Sequence, residues 1–538
     1  MGGRRRQFVG TSVRLTGVLR FAIICYSASP RQRSIVDCRA QGKAISAANF
    51  GRDDMRFKAV ASLALVGVTV LFAACRGEAA PRQASDKPAF KPEAKQMRVW
   101  TDDTGKFKVR AALVQVGETE VKLRRTDGTE IAVPLERLSQ ADRQWLVKVT
   151  GSGGVAAPGE WITFRGPNRD GRSPDKGLLK QWPEGGPPLL WKVDNIGQGY
   201  SSVVVSGGTI YITGEINNKL IIFALDMDGK QKWSVEAGDA WTVNYPGARG
   251  SPTIDDGKLY VLSGHGVLGC FDASNGRRLW QRTAKEFGGS PGEWGYAESV
   301  TILDNLVIFK PGGANCIVAL DKHTGKPVWT SRGFTAGPEY SSCLAFNHDG
   351  LWAITAGTRE GIVCVDARNG NLLWANNFSA NNTANCPTPV YSDGYIFWAN
   401  GYGKGGICLK LGPRGTASQA WTTHDMQCHH GGYIIDNGYI YGNNGHGWAC
   451  IELKTGKTMW RDRGVGKGSL CWADGMLYLF SESRGQAALA TCSPEGLEIK
   501  GRVQVAGSGP SWAHPVVIGG RLYLRYDTNL YCFDVKAK

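Results

Sequence analysis

Seven tryptophans recur through the latter part of this chain, at 191, 233, 280, 329, 374, 421 and 460, with gaps of 42, 47, 49, 45, 47 and 39 residues. A period of roughly 40–50 residues is the size of one four-stranded propeller blade, a unit that buries its apolar face only against a neighbour. The phrase around each tryptophan repeats too. Asp272/Gly276/Trp280, Asp321/Gly325/Trp329 and Asp366/Gly370/Trp374 share one spacing; Glu452/Gly456/Trp460 keeps it with Glu for Asp, and Asp226/Gly229/Trp233 is one residue shorter. The physical reading is a hairpin in which the carboxylate caps the turn, glycine supplies positive φ, and Trp191, Trp233, Trp280, Trp329, Trp374, Trp421 and Trp460 sit on outer strands packed toward the next blade. Calcium ligation by these carboxylates is the alternative, but turn chemistry accounts for every copy.

Second strands are expected at 209–213, 258–263, 305–310, 351–356, 395–400, 439–443, 476–481 and 521–527. Only seven of these eight units have a fourth strand of their own. The apolar run 188–193 precedes the first unit and lacks partners, so it would complete the last blade and remove the open edges. The expected fold is all-β: an eight-bladed β-propeller over 161–538, closed by an N-terminal strand. A glycine count of 72 in 538 residues, without a collagen period, agrees with a chain of many tight turns.

A small module precedes it. Trp100-Thr101-Asp102-Asp103-Thr104-Gly105-Lys106-Phe107-Lys108-Val109 leads into alternating apolar positions, and Val121-Lys122-Leu123 and Ile131-Ala132-Val133 flank the turn Thr126-Asp127-Gly128-Thr129. Ser139 is placed to cap a short helix through Trp145. Residues 98–149 resemble the Sla-type homology domain one, an SH3-like barrel of endocytic adaptors that binds short Asn-Pro-Phe peptides. For an exported chain the resemblance implies a peptide- or protein-binding barrel, without the cytoskeletal partners. Residues 76–97 and 150–160 read as linkers.

The formal net charge of +16 is concentrated at the N-terminal end. Residues 1–150 carry 27 Lys and Arg against 14 Asp and Glu, and the remainder carries 36 against 33. That distribution lacks a basic stripe for phosphates, so nucleic acid is not an expected partner. Met55-Arg56-Phe57-Lys58 and the apolar run to Ala74 form a secretory signal, too short for a membrane span. Its end, Leu71-Phe72-Ala73-Ala74-Cys75, resembles a bacterial lipoprotein signal with Cys75 as the lipidated residue, which implies a membrane-anchored protein of the periplasm or cell envelope. Ordinary cleavage near Ala74 is the alternative. Residues 1–54 lie upstream of a complete signal, so Met55 is the expected start and 1–54 an extension without regular structure.

The repeat resembles the pyrroloquinoline-quinone (PQQ) type of propeller repeat, shared by quinoprotein alcohol dehydrogenases and the outer-membrane β-barrel assembly lipoproteins. The lead-in Trp161-Ile162-Thr163-Phe164-Arg165-Gly166-Pro167-Asn168-Arg169-Asp170-Gly171 resembles that of exported bacterial propellers. The family's enzymes hold the quinone against a ring of two adjacent disulfide-bonded cysteines beside calcium. This chain has no Cys-Cys pair and no Cys-x-x-Cys-His haem site. PQQ with calcium is therefore disfavoured, and neither a cofactor nor a metal is expected. The starts of the first strands bring Arg249, Glu298, His429, His430 and His514 toward one channel mouth, as candidates for a metal or acid–base site. The bland alternative is a hydrated channel, and His429 and His430, adjacent in a strand, should point to opposite faces. Cysteines 343, 364, 386, 408, 428, 450, 471 and 492 recur twice per blade, and are read as buried packing residues in preference to disulfides. The leading expectation is a non-enzymatic, lipid-anchored scaffold binding proteins or peptides, in envelope assembly by resemblance. A quinone- or metal-dependent oxidoreductase at the channel, and a carbohydrate- or polymer-binding propeller using exposed aromatics such as Trp241, Tyr245 and Trp294, are the rivals.

Overall fold

The computed structural model describes residues 97–116, 120–139, 142, 145–146, 159–380 and 383–538. The signal, Cys75, the upstream extension and nearly all of both linkers lie outside the described residues. No helix among the described residues is long and apolar enough to cross a membrane.

The N-terminal module is a four-stranded antiparallel sheet of Arg98–Thr101, Lys108–Val116, Glu120–Arg125 and Glu130–Pro134, followed by a single 3-10 turn at Leu135–Arg137. Alternate residues Ala111, Leu113, Val121 and Leu123 pack with Trp100, Leu135, Leu138 and Leu146 in a core of their own. Asp127 accepts the Thr129 N–H at 2.9 Å, closing the expected hairpin turn. Ser139 Oγ accepts the Asp142 N–H at 3.2 Å, as a cap does. The Arg98 guanidinium pairs with Asp142 at 2.7 Å and covers the Trp145 ring at 4.1 Å.

Among the described residues, eight further sheets follow: six are built from four consecutive antiparallel strands, the seventh adds Arg172–Ser173 in parallel to Gly468–Ala473, and the eighth takes in a strand from far upstream. Their second strands are Thr209–Ile216, Lys258–Leu262, Leu306–Phe309, Leu351–Thr358, Tyr395–Asn400, Tyr439–Asn443, Met476–Ser481 and Arg521–Tyr526. Short first strands, such as Val204–Ser206, Thr253–Asp255 and Thr301–Leu303, lie beside those of neighbouring sheets and form the inner layer. In the last sheet, Asn529–Asp534 pairs antiparallel with Leu189–Val193, with Cys532 opposite Trp191.

The repeated phrase has a two-part cause. Asp272 Oδ1 accepts the Ser274 N–H at 2.9 Å, and Asp321 Oδ1 accepts the Thr324 N–H at 2.8 Å, so the carboxylates are spent on their own turns. The turn glycine also presses on the tryptophan of the preceding sheet: a Cβ at Gly276, Gly325, Gly370 or Gly456 would stand 2.5–2.9 Å from Trp233, Trp280, Trp329 or Trp421. Five of the seven indoles cross to the next sheet, including Trp191 to the Met227 carbonyl at 2.9 Å and Trp329 to that of Ala367 at 3.0 Å. Trp233 and Trp374 leave their indole N–H unpartnered. Only Trp329 is fully buried, and the rest are half-buried covers at the outer edge. All eleven cysteines after Cys75 are free thiols, nine of them buried.

Candidate functional site

The lead-in segment places the site. Trp161 pairs with Val205 of the first sheet, and Thr163 Oγ1 lies 2.9 Å from Thr253 Oγ1 of the second. Arg169 donates to the Val300 carbonyl at 2.8 Å and to that of Ser299, in the third. Arg165 reaches across to the Tyr433 carbonyl of the sixth, and Arg172 pairs with Trp472 of the seventh. One short segment therefore spans the inner layer and closes it from one side. Arg165 and Arg169 have no carboxylate bonded to them; carbonyl oxygens take up Arg165, while Arg169 bonds two carbonyls and the Thr163 hydroxyl and leaves its Nε without a partner, and burial lowers both pKa values, that of Arg169 to about 10. Phe164, just ahead of Arg165, lines a cavity of about 190 Å³.

Around that cavity runs a belt of hydroxyls. The His514 N–H donates to Ser202 Oγ, the Ser202 N–H to Ser251 Oγ, the Ser251 N–H to Ser299 Oγ, the Ser299 N–H to Ser342 Oγ and the Ser342 N–H to Thr388 Oγ1, at 2.8–3.2 Å. Each bond links one sheet to the next and satisfies a buried donor. Sequence reasoning missed this belt. Its signal was a hydroxyl residue two positions ahead of five successive first strands, at spacings of 49, 48, 43 and 46.

Four of the five residues expected to converge do so. Arg249, His429, His430 and His514 all line the cavity. Glu298 does not: it is 1% exposed, and its Oε2 accepts the backbone N–H of Lys310 at 2.9 Å, with Lys310 Nζ 3.9 Å away. Its neighbours Ala297 and Ser299 face the cavity, so the residue between them turns into the protein. Burial raises its pKa, against the lowering effect of Lys310.

The two adjacent histidines also depart from expectation. They sit in a bend ahead of Tyr433–Asp436, not in a strand, so strand alternation does not apply, and their rings lie 3.7 Å apart. His429 Nδ1 is 2.8 Å from Lys467 Nζ and its Nε2 is 2.7 Å from Tyr402 Oη. An ammonium only donates, so Nδ1 accepts and Nε2 carries the hydrogen. Burial, with His430 and Lys467 nearby, lowers the His429 pKa to about 2 and holds it neutral. Glu482, which sequence reasoning did not single out, brings the third donor: His429, His430 and Glu482 offer atoms within 4.8 Å of one another. Lys467 Nζ is also 3.0 Å from Glu482 Oε1, so a side-chain cation already joins two of those donors. His514 is 7% exposed; its Nε2 bonds the His430 carbonyl at 2.9 Å, which leaves Nδ1 as a bare acceptor without a partner. Burial lowers its pKa to about 3.

Aromatic rings complete the walls. Trp512 packs against Tyr200 at 4.9 Å, Tyr245 at 5.1 Å and His430 at 4.1 Å, and Trp294 packs on Tyr340 at 5.8 Å. Trp241 is not among them: it is buried, with its indole N–H on Asn244 Oδ1 at 3.0 Å.

Comparisons with known proteins agree with this architecture. The family described as outer membrane protein assembly factor BamB matches residues 238–462, and the SLA1 homology domain 1 family matches residues 89–153. The chain is 26% identical over 223 residues to the BamB protein of Moranella endobia, which takes in 39% of this chain and 54% of that one. It is 36% identical over 66 residues to the actin cytoskeleton-regulatory complex protein SLA1 of Yarrowia lipolytica, 12% of this chain and 6% of that one. The chain thus spans about half the length of the first relative and a small part of the second. The quinohemoprotein alcohol dehydrogenase of Comamonas testosteroni superposes with a TM-score of 0.53 at 13% identity, over 71% of this chain and 81% of that one, a likeness of propeller fold alone. The chain therefore carries a BamB-like repeat region and an SLA1 homology domain.

Proposed function

We propose that this chain is an exported, lipid-anchored scaffold of the cell envelope that binds protein or peptide segments during outer-membrane protein assembly. In this reading the eight sheets are the blades of one ring, latched by Leu189–Val193 against Asn529–Asp534, and residues 98–149 form a separate SH3-like binding unit. The observation that carries the reading is the match of 238–462 to the BamB family, whose name records a role in assembly. The mouth of the ring offers the surface: Tyr245 and Tyr402, which line the cavity, are 50% and 56% exposed, and Val243, two residues before Tyr245, is 74% exposed. Exposed apolar groups gathered on one face suit a protein partner.

The donor set does not suit PQQ with calcium. Only one cysteine, Cys386, lines the cavity, and the Lys467 ammonium stands among the donors a cation would need. A cavity of about 190 Å³ is also small beside the ~300–1,000 Å³ of typical cofactor sites. The test uses a photoreactive residue at Val243 or, as the control on the outer edge, at Val328. Cross-links to an outer-membrane precursor from Val243 alone support the scaffold. Saturable binding of PQQ and calcium with dye-coupled alcohol oxidation, and no such cross-link, would overturn it.

A further inference from the structure

The cavity has features that a protein-binding face does not explain. It is a blind pocket, since the lead-in segment crosses the inner layer and Phe164 ends it. Its volume of about 190 Å³ admits a single ring and little more. The walls are flat and aromatic: Tyr200, Tyr245, Trp294, Tyr340 and Trp512. Two polar groups inside are incomplete. Arg249 spends Nη2 on the carbonyls of Asn244 and Tyr245, at 2.8 and 3.0 Å, while its buried Nε has no partner. None of the ion pairs among the described residues involves it, and the groups acting on its charge are Tyr200, Tyr340 and Cys386. His514 presents a buried acceptor, Nδ1, equally without a partner.

A half-buried guanidinium without a carboxylate is an open position for one, because charge-assisted bonds to Arg are among the strongest available. A neutral imidazole fixed with its hydrogen on Nε2 asks for a donor at Nδ1. Aromatic walls favour a flat ring or the C–H face of a pyranose. From these we infer that the blind channel binds a ring-sized hydroxy acid, its carboxylate on Arg249 and a hydroxyl donating to His514 Nδ1. This inference stands apart from the scaffold reading and requires no protein partner. An aromatic hydroxy acid and a sugar acid share this chemistry, and the experiment separates them.

The purified full chain is titrated by calorimetry with the hydroxybenzoate isomers, with galacturonate and glucuronate, and with benzoate and phenol as partial ligands. One of the hydroxy acids is expected to bind at one site with a Kd below about 1 mM. Benzoate and phenol should each bind at least about tenfold more weakly, since each leaves one pocket group unpaired. Arg249→Gln should weaken the hydroxy acid by about tenfold or more and leave phenol unchanged, whereas His514→Gln should erase its advantage over benzoate. Arg249→Lys, which keeps the charge, stands in should Arg249→Gln fail to fold. Binding by the hydroxybenzoates alone assigns an aromatic ligand, and binding by the uronates alone a sugar acid. No saturable binding by either class, or binding indifferent to Arg249, overturns the inference.

Discussion

The outer edge and the inner layer of the repeat region are built on opposite plans. The edge repeats one solution: a capped turn, a positive-φ glycine and a tryptophan lid, with Gly370 on Trp329 as Gly325 is on Trp280. The inner layer repeats its hydroxyl belt through part of the circuit and then departs from it. Where the belt stops, Arg165, Lys467, Glu482 and paired histidines take over. A repeat of like copies offers no unique place by itself. The unique place comes from the lead-in segment, which touches only certain sheets and makes the pocket one-sided.

The largest effect is expected where that asymmetry is anchored. Arg165→Met would leave the carbonyls of Arg169, Asp170 and Tyr433 without their donor in a buried site. A loss of about 3 kcal/mol or more in urea unfolding is expected, by the cost of orphaned buried groups. A loss below about 1 kcal/mol would mean that the segment lies on the inner layer without bracing it.

The edge predicts a sharper contrast between two glycines. Gly350 has φ +83 and open space around its Cβ position, whereas Gly370 has φ +74 and Trp329 at 2.5 Å. Gly350→Ala should cost about 1 kcal/mol, the strain alone. Gly370→Ala should cost about 3 kcal/mol, because the indole must also move. Equal losses would show that the glycine serves the turn only and not the seam between sheets.

Two buried groups of the inner layer give opposite pH slopes. Burial lowers His514 from 6.5 to about 3, so below pH 6.5 the unfolded chain takes up a proton that the native chain refuses, and stability falls as pH falls. Burial raises Glu339 from 4.5 to about 7, so between those values the native chain keeps a proton that the unfolded chain has lost, and stability falls as pH rises. Between pH 4.5 and 6.5 the two slopes offset each other, so in thermal unfolding His514→Gln should leave a stability that falls as pH rises and Glu339→Gln one that rises with pH. A profile unchanged by both would place these groups in contact with water.

What was legible in the sequence follows the same division. The second strands and the turn-glycine-tryptophan phrase could be read because a repeat samples one environment many times. Met476–Ser481 was located to the residue. The pocket could not be read in that way. Glu298 stands a few residues ahead of a first strand like Arg249, yet turns inward to Lys310, and that position does not tell which side a residue takes. His429 and His430 were assigned to a strand, and strand alternation would have parted them, but the bend before Gly431 and Gly432 puts both rings in the cavity. Arg165 and Arg169 were visible only as part of a family-like lead-in, since the partners that tie them to the sheets are carbonyls more than a hundred residues away.

The smallest expected effect tests whether the belt belongs to the inner plan at all. Ser299 Oγ accepts the Ser251 N–H at 2.9 Å inside the protein, whereas Ser274 Oγ meets Asp272 in an exposed turn. Ser299→Ala strands a buried donor and should cost about 1–2 kcal/mol. Ser274→Ala exchanges its bond for water and should stay within about 0.5 kcal/mol. The order matters more than either value. If the exposed turn proved the more sensitive, the repeating edge alone would hold the sheets together, and the hydroxyls would be lining without a structural part.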